Sequence, residues 1–106
     1  MLIYDATDSP MPGDDHVNLS VPSASFHEIS LRANPQNGYL WYLDKTVTNG
    51  LSFSHDTMEP LSKYRGTIQH FFFDNVDPGN YMIKLLYKRS WEKNPYSTKT
   101  FTVTIT

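Results

Sequence analysis

The chain has 106 residues, a length that favours a single domain with one hydrophobic core. Nine Lys and Arg residues against eleven Asp and Glu residues give a net charge of −2 at pH 7. This balance argues against nucleic acid or a membrane surface as the main partner, because both require a basic footprint. The chain has no cysteine, so it forms no disulfide and is not itself a thiol enzyme. We expect one domain over residues 1–106 that is a monomer when free.

The N-terminal part is rich in Asp, Ser and Pro and poor in large hydrophobic residues. Residues 1–20 therefore predict an irregular lead-in, with a short edge strand near residues 2–4 or 17–21. The N-terminus lacks the basic and apolar regions of a signal peptide. No stretch approaches the roughly 20 apolar residues of a membrane span. We accordingly expect a cytoplasmic location or one related to the lysosome or phagosome.

The rest of the chain consists of short apolar runs separated by turn-forming residues. Strand patterns occur at residues 26–31, 39–43, 51–53, 67–73, 81–88 and 100–105. Residues 54–66 show no apolar period and carry several charged side chains, which indicates a long polar loop. Helical periodicity is absent. This pattern predicts an all-β, immunoglobulin-like sandwich.

The segment Asn34-Pro35-Gln36-Asn37-Gly38 predicts a turn whose shape is set before any partner arrives. The proline fixes its own φ and pushes the preceding asparagine toward an extended backbone. The glycine accepts a positive φ without steric cost. A strand with aromatic residues follows at once and would anchor the turn. A loop of fixed shape that is anchored in this way can bind a partner by protruding from the domain.

The four histidines give no sign of catalysis or metal binding. None has metal-ligand spacing with another histidine or a carboxylate on a common helix, and cysteine is missing. His55-Asp56 comes closest to a catalytic dyad, but no glycine-framed serine accompanies it, so we expect solvated loop residues. His27 and His70 fall within predicted strands, at the surface or the edge of the core. We expect no catalytic residue, no metal and no cofactor.

A second unusual loop, residues 89–95, lies between the two strands with the clearest alternation. It carries Trp91 among polar and charged neighbours. Exposing an indole is costly unless it packs locally or meets a partner, and Trp and Arg are enriched at binding hot spots. Trp91 is therefore either a lid folded over the end of the sandwich or a binding residue. In an immunoglobulin-like arrangement, both unusual loops can gather at one end.

The two unusual loops contain ordered motifs. Residues 34–41 read Asn-Pro-Gln-Asn-Gly-Tyr-Leu-Trp, and residues 87–92 read Tyr-Lys-Arg-Ser-Trp-Glu. They resemble the NPTTGY-x-W signature and the Tyr-x-Arg-Pro-Trp run of the chagasin-type inhibitors of papain-like cysteine peptidases. The order of the motifs, their spacing and the terminal strand also agree. The resemblance covers roughly residues 20–106.

The chain departs from the family pattern at three places. A Gln-Asn pair replaces the two threonines of the first loop, which keeps polar groups at its tip. Ser90 replaces proline, so we expect a less rigid third loop. The Gly-x-Gly-Gly loop of the family is reduced to residues 63–66. Bulky Tyr64 and Arg65 are expected to contact the target there, in place of a close approach permitted by glycine.

The resemblance implies three clustered loops that wedge into a peptidase cleft and inhibit reversibly without being cut. The first loop would lie over the catalytic Cys–His pair, and the other two would grip the rims. The target would be papain or a cathepsin L- or B-like enzyme. The implied peptidase-binding residues are Asn34, Pro35, Gln36, Asn37, Gly38, Tyr64, Arg65, Gly66, Arg89, Ser90 and Trp91.

A module of a different class is the alternative. In an immunoglobulin-like adhesion or carbohydrate-binding module, Trp91 and Tyr64 would stack on sugar rings. An enzyme is a distant third. The inhibitor interpretation requires the first loop and Trp91 at the same end of the molecule, so their placement in the structure decides whether it survives.

Overall fold

The computed structural model describes residues 1–46, 48, 52–61, 66–74 and 77–106. The described residues form eight strands and one short 3-10 turn: β1 (Leu2–Ala6), β2 (Gly13–Val21), β3 (Phe26–Ala33), the turn (Pro35–Asn37), β4 (Tyr39–Leu43), β5 (Ser52–Pro60), β6 (Thr67–Asp74), β7 (Gly79–Arg89) and β8 (Ser97–Ile105). Within this part of the chain, no helix has the length and apolar character needed to cross a bilayer.

The strands form two four-stranded sheets that pack face to face. Sheet I has the order β1-β3-β6-β5 and sheet II the order β2-β8-β7-β4. Two pairs are parallel, β1 with β3 and β2 with β8, whereas the other ladders are antiparallel. The architecture is the all-β, immunoglobulin-like sandwich that the sequence predicts.

The core lies between the sheets because alternate side chains of each strand point to the same face. In β7 and β8 the predicted apolar faces are confirmed, since Ile83, Leu85, Phe101 and Val103 are completely buried. Phe73 of β6 meets them from the opposite sheet and is also completely buried. Full burial of such a side chain contributes about 1.5–3 kcal/mol. This core fixes the strand ends from which the loops emerge.

A buried polar contact also joins the two sheets. The Gln69 side chain on β6 accepts a hydrogen bond from the Trp41 backbone N–H (2.9 Å) and donates one to the Trp41 carbonyl (3.0 Å). The indole Nε1 of Trp41 donates to the Arg32 carbonyl on β3 at 2.8 Å. Strand β4 is thereby tied to sheet I at both its backbone and its side chain.

Two segments contain more strand than the sequence predicts. Residues 54–66 were assigned to a long polar loop, and this is wrong for most of the segment, since β5 extends to Pro60. Eight of the nine residues of β5 are exposed, so the strand has no buried face to produce an apolar alternation. In the expected lead-in, an edge strand is present at both of the places where one was predicted, as β1 and as β2, and β2 is longer than expected because it begins at Gly13. Residues 49–51 of the expected turn and strand lie outside the described residues.

His27 and His55 also differ from expectation, whereas His70 does not. His27 is completely buried, so its assignment to the surface or core edge is wrong. His55 lies in β5 and not in a loop, with its ring stacked on Phe72 at a centroid distance of 4.7 Å. His70 is half-buried, as expected for the edge of the core. Among the described residues, no group of three or more His, Cys, Asp or Glu side chains could hold a metal ion.

Candidate functional site

The two unusual loops lie at the same end of the sandwich. Strand β4 pairs antiparallel with β7, and Tyr39 faces Arg89 in the ladder. The first loop (residues 34–38) precedes Tyr39, and the tryptophan loop (residues 90–96) follows Arg89, so the ladder holds them side by side. This end, together with the neighbouring Gly66, is called the loop end below. The arrangement that would have excluded the inhibitor interpretation is absent.

The first loop is a hydrogen-bonded 3-10 turn. The Asn34 carbonyl accepts backbone N–H groups from Asn37 and Tyr39, each at 3.1 Å, and the Pro35 carbonyl accepts that of Gly38 at 2.9 Å. Gly38 ends the turn in the left-handed conformation with φ 84°, as its sequence position predicts. Backbone bonds within the loop therefore define its shape.

Trp91 is next to the first loop and is exposed to solvent. Its side chain is 72% exposed, so it does not act as a lid on the core. A Cβ atom on Gly38 would lie only 3.1 Å from the indole Cη2 atom, which shows that the indole edge lies against the backbone of the first loop. The two motifs thus form one continuous surface. Gly38 is needed there both for its positive φ and for this close approach.

Arg89 joins the two loops. Its Nε donates to the Asn37 carbonyl at 2.9 Å. Its guanidinium lies 4.6 Å from the centre of the Tyr39 ring and 5.8 Å from that of Trp91, at distances typical of cation–π contacts. The Glu92 carboxylate accepts the Arg89 backbone N–H at 3.3 Å, and the Glu92 N–H donates to the Arg89 carbonyl at 3.1 Å. Ser90 therefore lies in a closed turn between Arg89 and Glu92.

Aromatic rings form the base of the loop end. Tyr87 lies 5.2 Å from Tyr39 in a stacked arrangement and 4.9 Å from Trp41. Burial raises the pKa of Tyr87, and a hydrogen bond from the Asn34 backbone opposes that rise only in part. The phenol is thus neutral at physiological pH and holds the first residue of the loop. Tyr96 completes the cluster at 5.8 Å from Tyr39.

Gly66 lies beside the start of the first loop. It has a φ of 84°, and a Cβ atom at this position would lie 2.8 Å from the Ala33 carbonyl oxygen. Only glycine fits such a contact without a shift of backbone. The Gly66 carbonyl accepts the Leu61 N–H at 3.0 Å. Tyr64 and Arg65, for which we expect target contacts, lie outside the described residues, as do Ser62 and Lys63.

The loop end contains residues that the sequence did not point to. An open depression of about 440 Å³ is lined by the first loop, by Tyr96 and by Ser9 and Pro10. The last two belong to a segment predicted as an irregular lead-in. No sequence signal places them here, because their position depends on which strands β1 and β2 pair with.

Comparison with known proteins identifies the family. The family model described as Chagasin family peptidase inhibitor I42 matches residues 20–105. The chain therefore belongs to the chagasin family of peptidase inhibitors. The resemblance carried by the two loop motifs is confirmed, and the family is one of inhibitors, not of enzymes or sugar-binding modules.

Curated relatives and solved structures agree with this assignment. Amoebiasin-2 of Entamoeba histolytica is 31% identical over 99 residues, covering 87% of this chain and 80% of that protein. Amoebiasin-1 of the same organism is 26% identical over 94 residues, covering 87% and 91%. The crystal structure of the cysteine protease inhibitor EhICP2 from Entamoeba histolytica matches with a TM-score of 0.69 and 26% identity, over 99% of this chain and 96% of that chain.

A more distant structure shows the same fold. PbICP-C, solved in complex with falcipain-2, matches with a TM-score of 0.69 and 20% identity over 99% of this chain and 98% of that chain. At this identity the match establishes the sandwich alone.

Proposed function

We propose that the protein is a reversible, tight-binding inhibitor of papain-like cysteine peptidases. The first loop enters the active-site cleft over the catalytic Cys–His pair, and the loops at Gly66 and Trp91 contact the cleft rims. The observation that best supports this proposal is the set of contacts among Gly38, Arg89 and Trp91. These contacts place both family motifs on one exposed surface. The cysteine protease inhibitor EhICP2, which shares the fold, supports this target class.

The geometry of the loop end suits tight binding. The first loop is closed by its own backbone hydrogen bonds and is held from the side by Arg89. Ordering a loop on binding costs free energy, so a loop already held in shape retains more of its contact energy as affinity. Exposed Trp91 supplies a large apolar surface of the kind found at interface hot spots.

The same geometry supports inhibition without cleavage. In the 3-10 turn the carbonyls of Asn34 and Pro35 are engaged by backbone N–H groups within the loop. A peptidase must align a scissile carbonyl with its thiolate before attack is fast. A curled segment with internally bonded carbonyls does not offer that alignment, so the bound inhibitor is expected to remain intact.

Titration of papain with the protein, read with a fluorogenic substrate, tests the proposal. At enzyme concentrations well above the dissociation constant, activity should fall linearly to zero at one inhibitor per active site. The inhibitor should then be recovered uncut. A double variant with Gln36→Arg and Asn37→Arg should inhibit less, because its first loop no longer fits the cleft. Absence of inhibition by the wild-type protein at about 10 μM, a weak affinity for an inhibitor, would reject the proposal.

A further inference from the structure

The segment that joins β1 to β2 (residues 7–12) lies at the loop end. Strand β1 runs parallel to β3, so its last residue, Ala6, pairs with Leu31 near the start of the first loop. Strand β2 runs parallel to β8, so its first residue, Gly13, pairs with Ser97 just after the tryptophan loop. The connection must therefore cross between the sheets at this end of the molecule. The family model begins at residue 20 and does not include it.

Both ends of this segment are anchored to residues next to the candidate site. Arg32, two residues before the first loop, donates from Nη1 to the Thr7 carbonyl at 3.1 Å. At the other end the Gly13 N–H donates to the Tyr96 carbonyl at 3.1 Å. Prolines at positions 10 and 12 restrict the backbone between the anchors. The segment is therefore fixed at both ends against residues of the loop end.

The segment borders the surface that we assign to the peptidase. Ser9 and Pro10 share the open depression of about 440 Å³ with residues of the first loop. Met11, between the two prolines, is 76% exposed. A flexible thioether side chain adapts to uneven apolar surfaces, so Met is common at binding surfaces. An exposed Met on a restrained segment beside an interface is placed to extend that interface.

We propose that residues 7–12 form a fourth peptidase-contacting segment, with Met11 packed on the rim of the bound enzyme beside the first loop. This inference rests on the proposed function. The occupant is the peptidase and not a second copy of the chain, because the segment is continuous with the surface around Gln36 and Asn37. It would widen the interface beside the first loop.

Inhibition kinetics of Met11→Glu test the contact. A carboxylate in place of the thioether would be buried without a partner at the rim, so the dissociation constant for papain should rise about tenfold, or about 1.4 kcal/mol. Most of the change should be in the dissociation rate. The matched control is Met82→Glu, an exposed methionine on β7 that pairs with Thr102 far from the loop end. The control should inhibit like the wild type.

A labelled chain provides a second measurement. Because the protein has no cysteine, Ser9→Cys can carry a single environment-sensitive fluorophore. Addition of inactivated papain should shift the emission of this fluorophore, and the shift should saturate at one enzyme per inhibitor. The control is the same fluorophore on Ser25→Cys, an exposed residue just before β3, whose emission should not change. If wild-type protein inhibits but Met11→Glu is equally potent and the Ser9 label is silent, the fourth segment is rejected and the proposed function stands. If the wild type does not inhibit, both are rejected.

Discussion

Trp91 shows how one side chain can be positioned while most of its surface stays in water. The indole is held at its edge by the backbone at Gly38 and at its face by the Arg89 guanidinium. Neither contact belongs to the core, and the ring is 72% exposed. Its position therefore contributes little to folding, and its apolar surface is available to a partner.

Truncation of Trp91 should separate binding from stability. Trp91→Ala removes the exposed indole, and we expect inhibition of papain to weaken by about 2 kcal/mol or more, the range of interface hot spots. The melting temperature should change by less than about 2 °C, because little buried area is lost. Thermal unfolding and inhibition constants measured on the same preparation check both statements. A large fall in melting temperature would show that the indole supports the fold.

The sequence predicted the chemical character of these residues better than it predicted their surroundings in the fold. Local backbone rules predicted the positive φ of Gly38. They could not decide between an exposed and a lid-like Trp91, because that choice depends on the distance between two loops separated by about fifty residues. The hydrogen bond from Arg89 to the Asn37 carbonyl was not predictable for the same reason, since only the β4–β7 ladder brings the two residues together.

At the scale of elements, strands with a buried face were predictable and exposed ones were not. The terminal strand alternates because one face packs on the core. β5 is an edge strand with almost every residue in solvent, so its sequence carries no period. The parallel pairing of β1 with β3 and of β2 with β8 was also not predictable from the sequence, because the register between distant strands leaves no local signal. This is why residues 7–12 were not expected at the loop end.

The outer face of sheet I contains a three-strand polar clamp. His70 on β6 lies between Glu28 on β3, at 2.8 Å from Nδ1, and Glu59 on β5, at 2.9 Å from Nε2. The Ser30 hydroxyl lies 2.8 Å from both the Glu28 carboxylate and Nδ1. Partial burial lowers the pKa of His70, but hydrogen bonds to Glu59 and Glu28 and their charges outweigh it and raise the pKa above 6.5.

This clamp should make stability depend on pH. Because the pKa of His70 is higher in the folded protein than in the unfolded chain, its contribution is fully present below pH 6.5. It is lost as the pH rises through the folded-state pKa. Urea unfolding of the wild type and of His70→Gln between pH 5 and 8.5 measures this contribution. The free energy of unfolding of the wild type should exceed that of the variant by less as the pH rises. Glu59→Gln should weaken this pH dependence of stability. A difference between wild type and His70→Gln that stays constant with pH would contradict the role given to His70.

At the scale of the whole molecule, the loop end depends on how the two sheets are locked together. The first loop leaves sheet I at the end of β3 and enters sheet II at β4. Relative movement of the sheets would therefore change the span of the loop directly. Two contacts resist this movement, the bond from the Trp41 indole to the Arg32 carbonyl and the paired bonds of Gln69 to the Trp41 backbone.

Removal of this lock should affect folding and inhibition together, unlike removal of Trp91. Gln69 is 2% exposed, and Gln69→Ala would leave the N–H and C=O of Trp41 without their partners in the interior. Each buried unsatisfied group costs about 1–3 kcal/mol, so for two groups we expect a loss of roughly 2–6 kcal/mol in the free energy of unfolding. For a domain of this size that is a fall of about 10 °C or more in melting temperature.

At temperatures where Gln69→Ala is still folded, its affinity for papain shows whether the packing of the two sheets positions the first loop. If the sheets position the loop, the variant should bind papain more weakly even when fully native by circular dichroism, because the loop must be reordered on binding. Thr102→Ala, an outward-facing change on β8, is the matched control and should alter neither quantity. Full potency in a folded but strongly destabilised Gln69→Ala would show that the 3-10 turn and Arg89 hold the loop in shape without help from the sheets.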